Sequence, residues 1–207
     1  PAGRSSHRAR AGGARRLTNA VGTDADRRDG VMLRDATVDD AAAIREIYAT
    51  HVLTGLASFE EVPPDTAEMA RRMAEFQGGG LPYIVAETSA GISGYAYASP
   101  FRNRSAYRYT VEDSVYIVGN AQRRGLGSAL LGAVIDRCTA AGYRQMVAVI
   151  GDSANHASIG LHAHLGFEIV GTMPAVGFKL GRWVDSVRMQ RSLGAGADTP
   201  PDDYAGT

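Results

Sequence analysis

The stretch "NAQRRGLGSALL", residues 120–131, puts two arginines and two glycines between an apolar strand and an apolar helix. The first turn of a helix has four N–H groups without partners inside the helix. Arranged around glycines and helped by the helix dipole, they cradle an anion such as a phosphate. Gly125 and Gly127 leave room for close approach, and Arg123 and Arg124 add charge beside a polyphosphate. A glycine turn with solvated arginines fits the same spacing. No Gly-Lys-Ser/Thr follows, which excludes a nucleotide-hydrolysing P-loop.

Working outward, "YTVEDSVYIV" (109–118) alternates as a strand. Thr110, Glu112, Ser114, Tyr116 and Val118 share one face; Val111, Asp113, Val115 and Ile117 share the other. Downstream, Leu126, Leu130, Ala133, Val134 and Cys138 make the apolar stripe of a helix that ends at Gly142. Earlier, "VMLRDAT" reads as a first strand and "TVDD" as a capping box opening a helix over 39–53. A second helix, capped by Asp65 or Thr66, covers "DTAEMARRMAEFQ". "PYIVAET" and "GISGYAYASP" read as a hairpin. After the glycine loop and its helix come the strand "YRQMVAVI", the helix "NHASIGLHAHLGF", and strands over about 167–174 and 176–191. The order β-α-α-β-β-β-α-β-α-β-β predicts an α/β domain with a mixed sheet of about seven strands and about four helices on its two faces. A dinucleotide fold carries its glycines after the first strand; here they follow the fourth.

Lys plus Arg and Asp plus Glu are each 22, a net charge of zero, so nothing global points to nucleic acid or an anionic membrane. One cysteine allows no internal disulfide framework. No segment reaches the roughly 20 apolar residues of a membrane helix, and no histidine spacing suits a metal. Residues 1–30 are Arg/Gly/Ala-rich without apolar periodicity and 194–207 are polar with paired prolines. Both read as disordered around a domain over 31–193.

The segment "QRRGLG" resembles the Q/R-x-x-G-x-G/A loop of the GCN5-related N-acetyltransferase (GNAT) superfamily. "SFEEVPP", "YAYASPFRNRSAYRYTVEDSVYI" and "NHASIGLHAHLGFEIVGTMPAVGFKLGRWVDSVRMQR" together resemble the phosphinothricin N-acetyltransferase family, which includes methionine sulfoximine and methionine sulfone acetyltransferases. The resemblance spans about residues 31–193. It implies a sheet splayed between its fourth and fifth strands, with acetyl-CoA in the gap. The pantetheine arm would run along Tyr116, Ile117 and Val118. The pyrophosphate would rest on N–H groups between Gln122, Arg123, Arg124, Gly125, Leu126, Gly127 and Ser128, with Asn155 and Ser158 near the cofactor arm. Glu112 takes the place of the family's general base. His162, Tyr143 and Tyr116 are candidate proton donors to the departing thiolate. Phe59, Glu60, Arg102, Arg104, Tyr107 and Val111 fall where the family contacts a small amino-acid-like amine. A cytoplasmic homodimer is implied as well. The sequence departs from the pattern at Gly119–Asn120, where His-Pro is common, at Gly160, and at His164 in place of glutamate.

The chemistry agrees. An α-amine is mostly ammonium at pH 7, so a base must take a proton before it can attack a thioester. Glu112 on an interior strand would have its pKa raised by burial; a half-exposed structural glutamate is the plain alternative. Arg102 and Arg104 suit a carboxylate, phosphinyl or sulfone oxygen, or are solvated. Tyr95, Tyr97, Tyr107 and Tyr109 line a pocket or pack the sheet. Trp183 is expected to pack near the substrate side, and His51 at the surface. Asp113, on the other face, reads as structural, and Cys138 as core. Acetyl transfer to another small amine or a protein N-terminus, or acyl-CoA binding without turnover, remain alternatives on the residues alone.

Overall fold

The structure, a computed structural model, describes residues 27–28, 30–121 and 125–201. The elements run β1 (Arg27–Arg28), β2 (Val31–Asp35), α1 (Ala41–Thr54), α2 (Thr66–Gly78), β3 (Tyr83–Thr88), β4 (Gly91–Pro100), β5 (Thr110–Ile117), α3 (Leu126–Ala140), β6 (Gln145–Gly151), α4 (His156–His164), β7 (Glu168–Lys179) and β8 (Arg182–Ser192). The strands form one sheet in the order β1-β2-β3-β4-β5-β6-β8-β7. Every neighbouring pair is antiparallel except β5–β6, which is parallel. This is the predicted mixed sheet with four helices; the fourth and fifth predicted strands are β5 and β6, and β1 adds a two-residue edge piece.

Local chemistry sets the helix starts. The Thr37 N–H donates to the Asp40 carboxylate at 2.8 Å, and a 3-10 turn over Val38–Asp40 leads into α1. Arg34 grips the same carboxylate with both terminal nitrogens, at 2.7 and 2.8 Å. At α2 the cap is Asp65, which accepts from the Glu68 N–H at 2.8 Å.

The sheet separates two apolar cores. On one face, Ile84, Ala96, Val111, Met146 and Met189 pack with Leu130, Val134 and Cys138 of α3. On the other, Tyr83, Val85 and Tyr95 pack with Ile44, Tyr48 and Val52 of α1 and Met69 and Met73 of α2. The alternation of β5 therefore has a physical meaning: Val111 and Asp113 face α3, while Glu112, Ser114 and Tyr116 face the α1/α2 side.

The last hairpin differs from expectation. β7 continues past a register irregularity, with Ala175 at φ 50°, as far as Lys179. The reversal is at Leu180 and Gly181, φ 50° and 77°, the two positive values of a type I′ turn. A leucine at the first of these positions hides the turn from a composition reading. After β8 the chain folds back, and Arg144 donates to the Gly196 carbonyl at 2.9 Å and the Thr199 carbonyl at 2.7 Å. Most of the expected N-terminal arm and the end of the tail lie outside the described residues. Among the described residues, no helix is long and apolar enough to cross a membrane.

Candidate active site

The parallel pairing of β5 with β6 lasts four residues, from Thr110↔Gln145 to Asp113↔Ala148. Beyond it both strands continue, but Ser114–Ile117 have no strand partner on that side. The strands diverge into a cleft, with a cavity of about 50 Å³, between Ser114 and Tyr116 on one wall and Val149 and Ile150 on the other. Asn155, Ser158 and His162 of the α4 region close it. This is a splayed sheet, and backbone groups left without a partner are what an extended amide-bearing chain would pair with.

At the mouth, Gly125 caps α3 in the left-handed region, φ 76°. Among the described residues, a Cβ there would meet nothing within 4 Å, so they leave the space beside it open. Gly127 has a different task from the one expected. A Cβ on it would come within 3.1 Å of Leu161, so this glycine lets α4 approach α3. The Leu126 side chain is buried in the core, which leaves its backbone for any ligand, and Ser128 is partly buried in the same turn. Gln122, Arg123 and Arg124 lie outside the described residues. Asn155 caps α4 by accepting from the Ser158 N–H at 3.2 Å. The open helix start and the unpaired strand edge together fit a cofactor that ends in phosphates and continues as an amide-bearing arm.

Glu112 lies next to the point where the strands part, on the α1/α2 face, paired with Ser99 on one side and Val147 on the other. Burial, and then the Asp113 charge, raise its pKa; Arg188 and Arg102 act against them. A raised carboxylate is a better proton acceptor from an ammonium than an ordinary one.

His162, 3% exposed, lies at the inner end of the cleft. Its Nδ1 is 2.7 Å from the Ser158 carbonyl oxygen and must donate to it. Its Nε2 is 2.9 Å from Asp113 Oδ2. Burial pulls the His162 pKa down, but the Asp113 hydrogen bond and charge and the Ser158 carbonyl outweigh it, so the net shift is upward. The hydrogen-bonded pair ties β5 to α4 across the base of the cleft. Asp113, read as structural from sequence, is thus the partner of a candidate site residue. Its Oδ1 is buried without a partner.

The other candidates divide. The Tyr116 backbone lines the cleft, while its ring packs against Tyr95 and Tyr48 at 5.3 and 5.1 Å. Val118 donates its N–H to the Ser93 carbonyl, and Ile117's carbonyl is 3.1 Å from His51 Nε2, so His51 is engaged rather than a free surface histidine. Tyr143 follows α3 and precedes Gln145, at the paired end of β6, away from the cleft. That position removes it as a proton donor there. Cys138 is fully buried, and burial pushes its thiol up to about 12, as a core residue requires. Val111 is fully buried in the α3-side core, on the opposite face from Glu112, and cannot touch a substrate there.

A strap between α1 and α2 covers the site. The Phe59 ring rests on two glycines: a Cβ on Gly177 would fall 2.5 Å from it, and one on Gly151 would fall 2.1 Å from the Leu56 carbonyl oxygen. Lys179, 4% exposed, donates to the Ser58 carbonyl at 2.6 Å. Tyr48 bonds the Ser58 hydroxyl at 2.8 Å and Glu60 at 3.0 Å, and Arg72 holds Glu60 at 2.7 Å. Glu60 therefore fastens the strap instead of facing a substrate, while Phe59 remains partly exposed. Arg102 stacks on Phe101, 5.1 Å from its centroid, and its charge reaches Glu112. Arg104 is exposed and its carbonyl accepts from the Tyr107 N–H. Trp183 is 66% exposed and meets Phe178 edge-on, 5.3 Å between ring centroids, on the edge hairpin. Sequence reasoning missed Lys179 and Arg188. The alternation of Ser186, Arg188 and Gln190 with the buried Val187 and Met189 was the available signal, but only the strand order places Arg188 on the Glu112 face.

Comparison with known proteins agrees with this geometry. Residues 33–188 match the family described as acetyltransferase (GNAT) domain. The phosphinothricin N-acetyltransferase of Alcaligenes faecalis is 52% identical over 186 residues, covering 86% of this chain and 94% of that protein. An L-methionine sulfoximine/L-methionine sulfone acetyltransferase of Pseudomonas aeruginosa is 45% identical over 165 residues, 78% of this chain and 94% of that protein. The crystal structure of a GNAT-superfamily phosphinothricin acetyltransferase from Sinorhizobium meliloti, in complex with acetyl-CoA, superposes with a TM-score of 0.81 at 52% identity, covering 84% of this chain and 94% of that one. With its splayed sheet and matching sequence, the chain belongs to the GNAT acetyltransferase family, in the branch that holds the phosphinothricin and methionine sulfoximine acetyltransferases.

Proposed function

We propose that the protein transfers an acetyl group from acetyl-CoA to the amino group of a small amino-acid-like substrate of the phosphinothricin, methionine sulfoximine or methionine sulfone kind. The observation that carries this reading is the end of β5–β6 pairing after Asp113 and Ala148, with a partly buried carboxylate, Glu112, beside the opening. Acetyl-CoA, when bound, supplies the activated thioester. The Gly125 turn and the first N–H groups of α3 would hold its pyrophosphate, and the free edge of β5 from Ser114 to Val118, with Asn155 and Ser158, would hold its arm. Gln122, Arg123 and Arg124 are assigned to the same phosphate contact on the resemblance of the loop.

Glu112 accepts the proton from the substrate ammonium, which frees the lone pair for direct attack. Its raised pKa makes it a better proton acceptor than an ordinary carboxylate. The β5 N–H groups facing the cleft offer hydrogen bonds to developing oxyanion charge. His162, which lines the cleft, is assigned the proton for the departing thiolate on the resemblance; its Nε2 would have to leave Asp113 to deliver it. Arg102 takes the substrate carboxylate, with Arg104, Tyr107 and Phe59 around the amine; Arg102 has no carboxylate partner among the described residues. The assembly is a cytoplasmic homodimer. Exposed Phe178 and Trp183 on the edge hairpin support the dimer, and sedimentation equilibrium checks it.

Thiol release from acetyl-CoA should be tested with phosphinothricin, methionine sulfoximine, methionine sulfone and ordinary amino acids. Turnover with at least one of the first three is expected. Tight acetyl-CoA binding without turnover on any amine would refute the reading.

A further inference from the structure

A cavity of about 250 Å³ opens on the Glu112 face, beside the acyl cleft and separate from it. Thr110 and Val147 form its floor, Arg188 and Gln190 one wall, and Phe101 and Tyr107 its rim. The strand register fixes its position. Thr110 precedes Glu112 by two residues on one face of β5, and Val147 is Glu112's partner on β6. On β8, Gln190 pairs with Val147 and Arg188 with Val149. Strands lie about 4.8 Å apart, so the backbones of Glu112 and Arg188 are about 10–12 Å apart, a span that two long side chains and a small amino acid fill.

The chemistry of this cavity is uneven. Arg188 is partly buried and forms no direct ion pair among the described residues, though its charge reaches Glu112. Gln190 uses one amide N–H on Gln145 Oε1 at 2.8 Å. The remaining walls are aliphatic, aromatic or uncharged. A half-buried guanidinium with no direct ion pair, in a space open to solvent, is a receptor for an anion. The cavity runs from Thr110 and Val147, next to Glu112 in the strand register, to Arg188, which sets a direction for the rest of the substrate.

We propose that Arg188 and this cavity form the substrate's side-chain subsite, which selects α-amino acids whose side chain ends in an anion over those ending in a neutral sulfone or sulfoximine. The assignment rests on the acetyl-transfer reading above. With the amine at Glu112 and the α-carboxylate at Arg102, the side chain crosses Val147, and its terminal phosphinate or carboxylate receives the Arg188 fork. Two oxygens of one anion match the two N–H groups of the fork. A sulfone offers similar oxygens without the charge.

The test measures kcat/KM for phosphinothricin and for methionine sulfone in the wild type, Arg188→Gln and Arg188→Lys, at a pH above the acid limb. The wild type should prefer phosphinothricin. In Arg188→Gln the ratio of the two values should fall about tenfold, through the phosphinothricin KM. Arg188→Lys keeps the charge without the fork and should lower the ratio by about threefold, which decides the matter if the glutamine variant does not fold. Calorimetric titration of phosphinothricin into CoA-loaded protein should weaken by a similar factor. An unchanged ratio, or an equal loss on both substrates, overturns the subsite; equal loss would mean that Arg188 acts only through Glu112. If the wild type acetylates neither amine, the acetyl-transfer reading falls, and the calorimetry alone still decides whether Arg188 binds the anion.

Discussion

Glu112 carries opposite consequences for activity and for stability. Replacing it with glutamine should lower kcat by about 10²- to 10⁴-fold, the usual range for loss of a general base, and abolish the acid limb of the pH–rate profile. Because burial raises the carboxyl pKa, that limb should lie above the ordinary carboxylate range. A wild-type acid limb at or below pH 4.5 would remove Glu112 as the base. The native state holds this proton more tightly than the unfolded chain, so the group's stabilising contribution is present below the unfolded value of 4.5 and is lost as pH rises through the native value. Glu112→Gln should therefore melt at a higher temperature than the wild type at pH 7. Glu112 was legible in the sequence through the resemblance of its strand motif; the alternation alone left a structural glutamate equally open. Arg188 was not, because only the order β5-β6-β8 brings it near.

At the scale of elements, two devices hold the site open and in register. The first is the Asp113–His162 pair between β5 and α4. Removing one member of a buried pair leaves the other charge uncompensated, so Asp113→Ala should cost about 3–5 kcal/mol in denaturant unfolding. The His162 pKa is raised in the fold, so its contribution is complete below 6.5 and is lost as pH climbs through the native value. Wild-type stability should fall over that window, and the fall should be absent in His162→Gln. The second device is the glycine seat of the strap. An alanine at Gly151 would collide with the Leu56 carbonyl, which is backbone, whereas one at Gly177 meets a side-chain ring that can turn. Gly151→Ala should cost about 3 kcal/mol and Gly177→Ala about 1 kcal/mol, with Phe59 displaced in both and KM for the amine raised. Equal costs would mean that the strap is not seated as described. The helices were legible from their caps and apolar spacing. The strap was not, since its conformation is set by β6 and β7, which lie far along the chain.

For the whole molecule, the sheet is complete only to Asp113 on the β6 side of β5. Acetyl-CoA in the cleft should slow amide hydrogen exchange over Ser114–Val118 and stabilise the fold by about 2.7 kcal/mol at a hundredfold excess over Kd. Protection confined to some other strand would place the cofactor elsewhere. The architecture was readable because one loop and one strand motif named it; the β7 turn was not, with a leucine where glycine or asparagine would have announced it. Lys179 has a further consequence. It is the sole lysine of the chain, every other member of its 22 basic residues being an arginine. A catalyst that lives beside a reactive thioester thus exposes almost no ε-amine to stray acylation, and the one it has is shut beneath the Ser58 carbonyl. A mild N-hydroxysuccinimide ester would turn that amine into a clock, its adduct on the Lys179 peptide, separate from any on the α-amine, accumulating only as fast as the strap lifts.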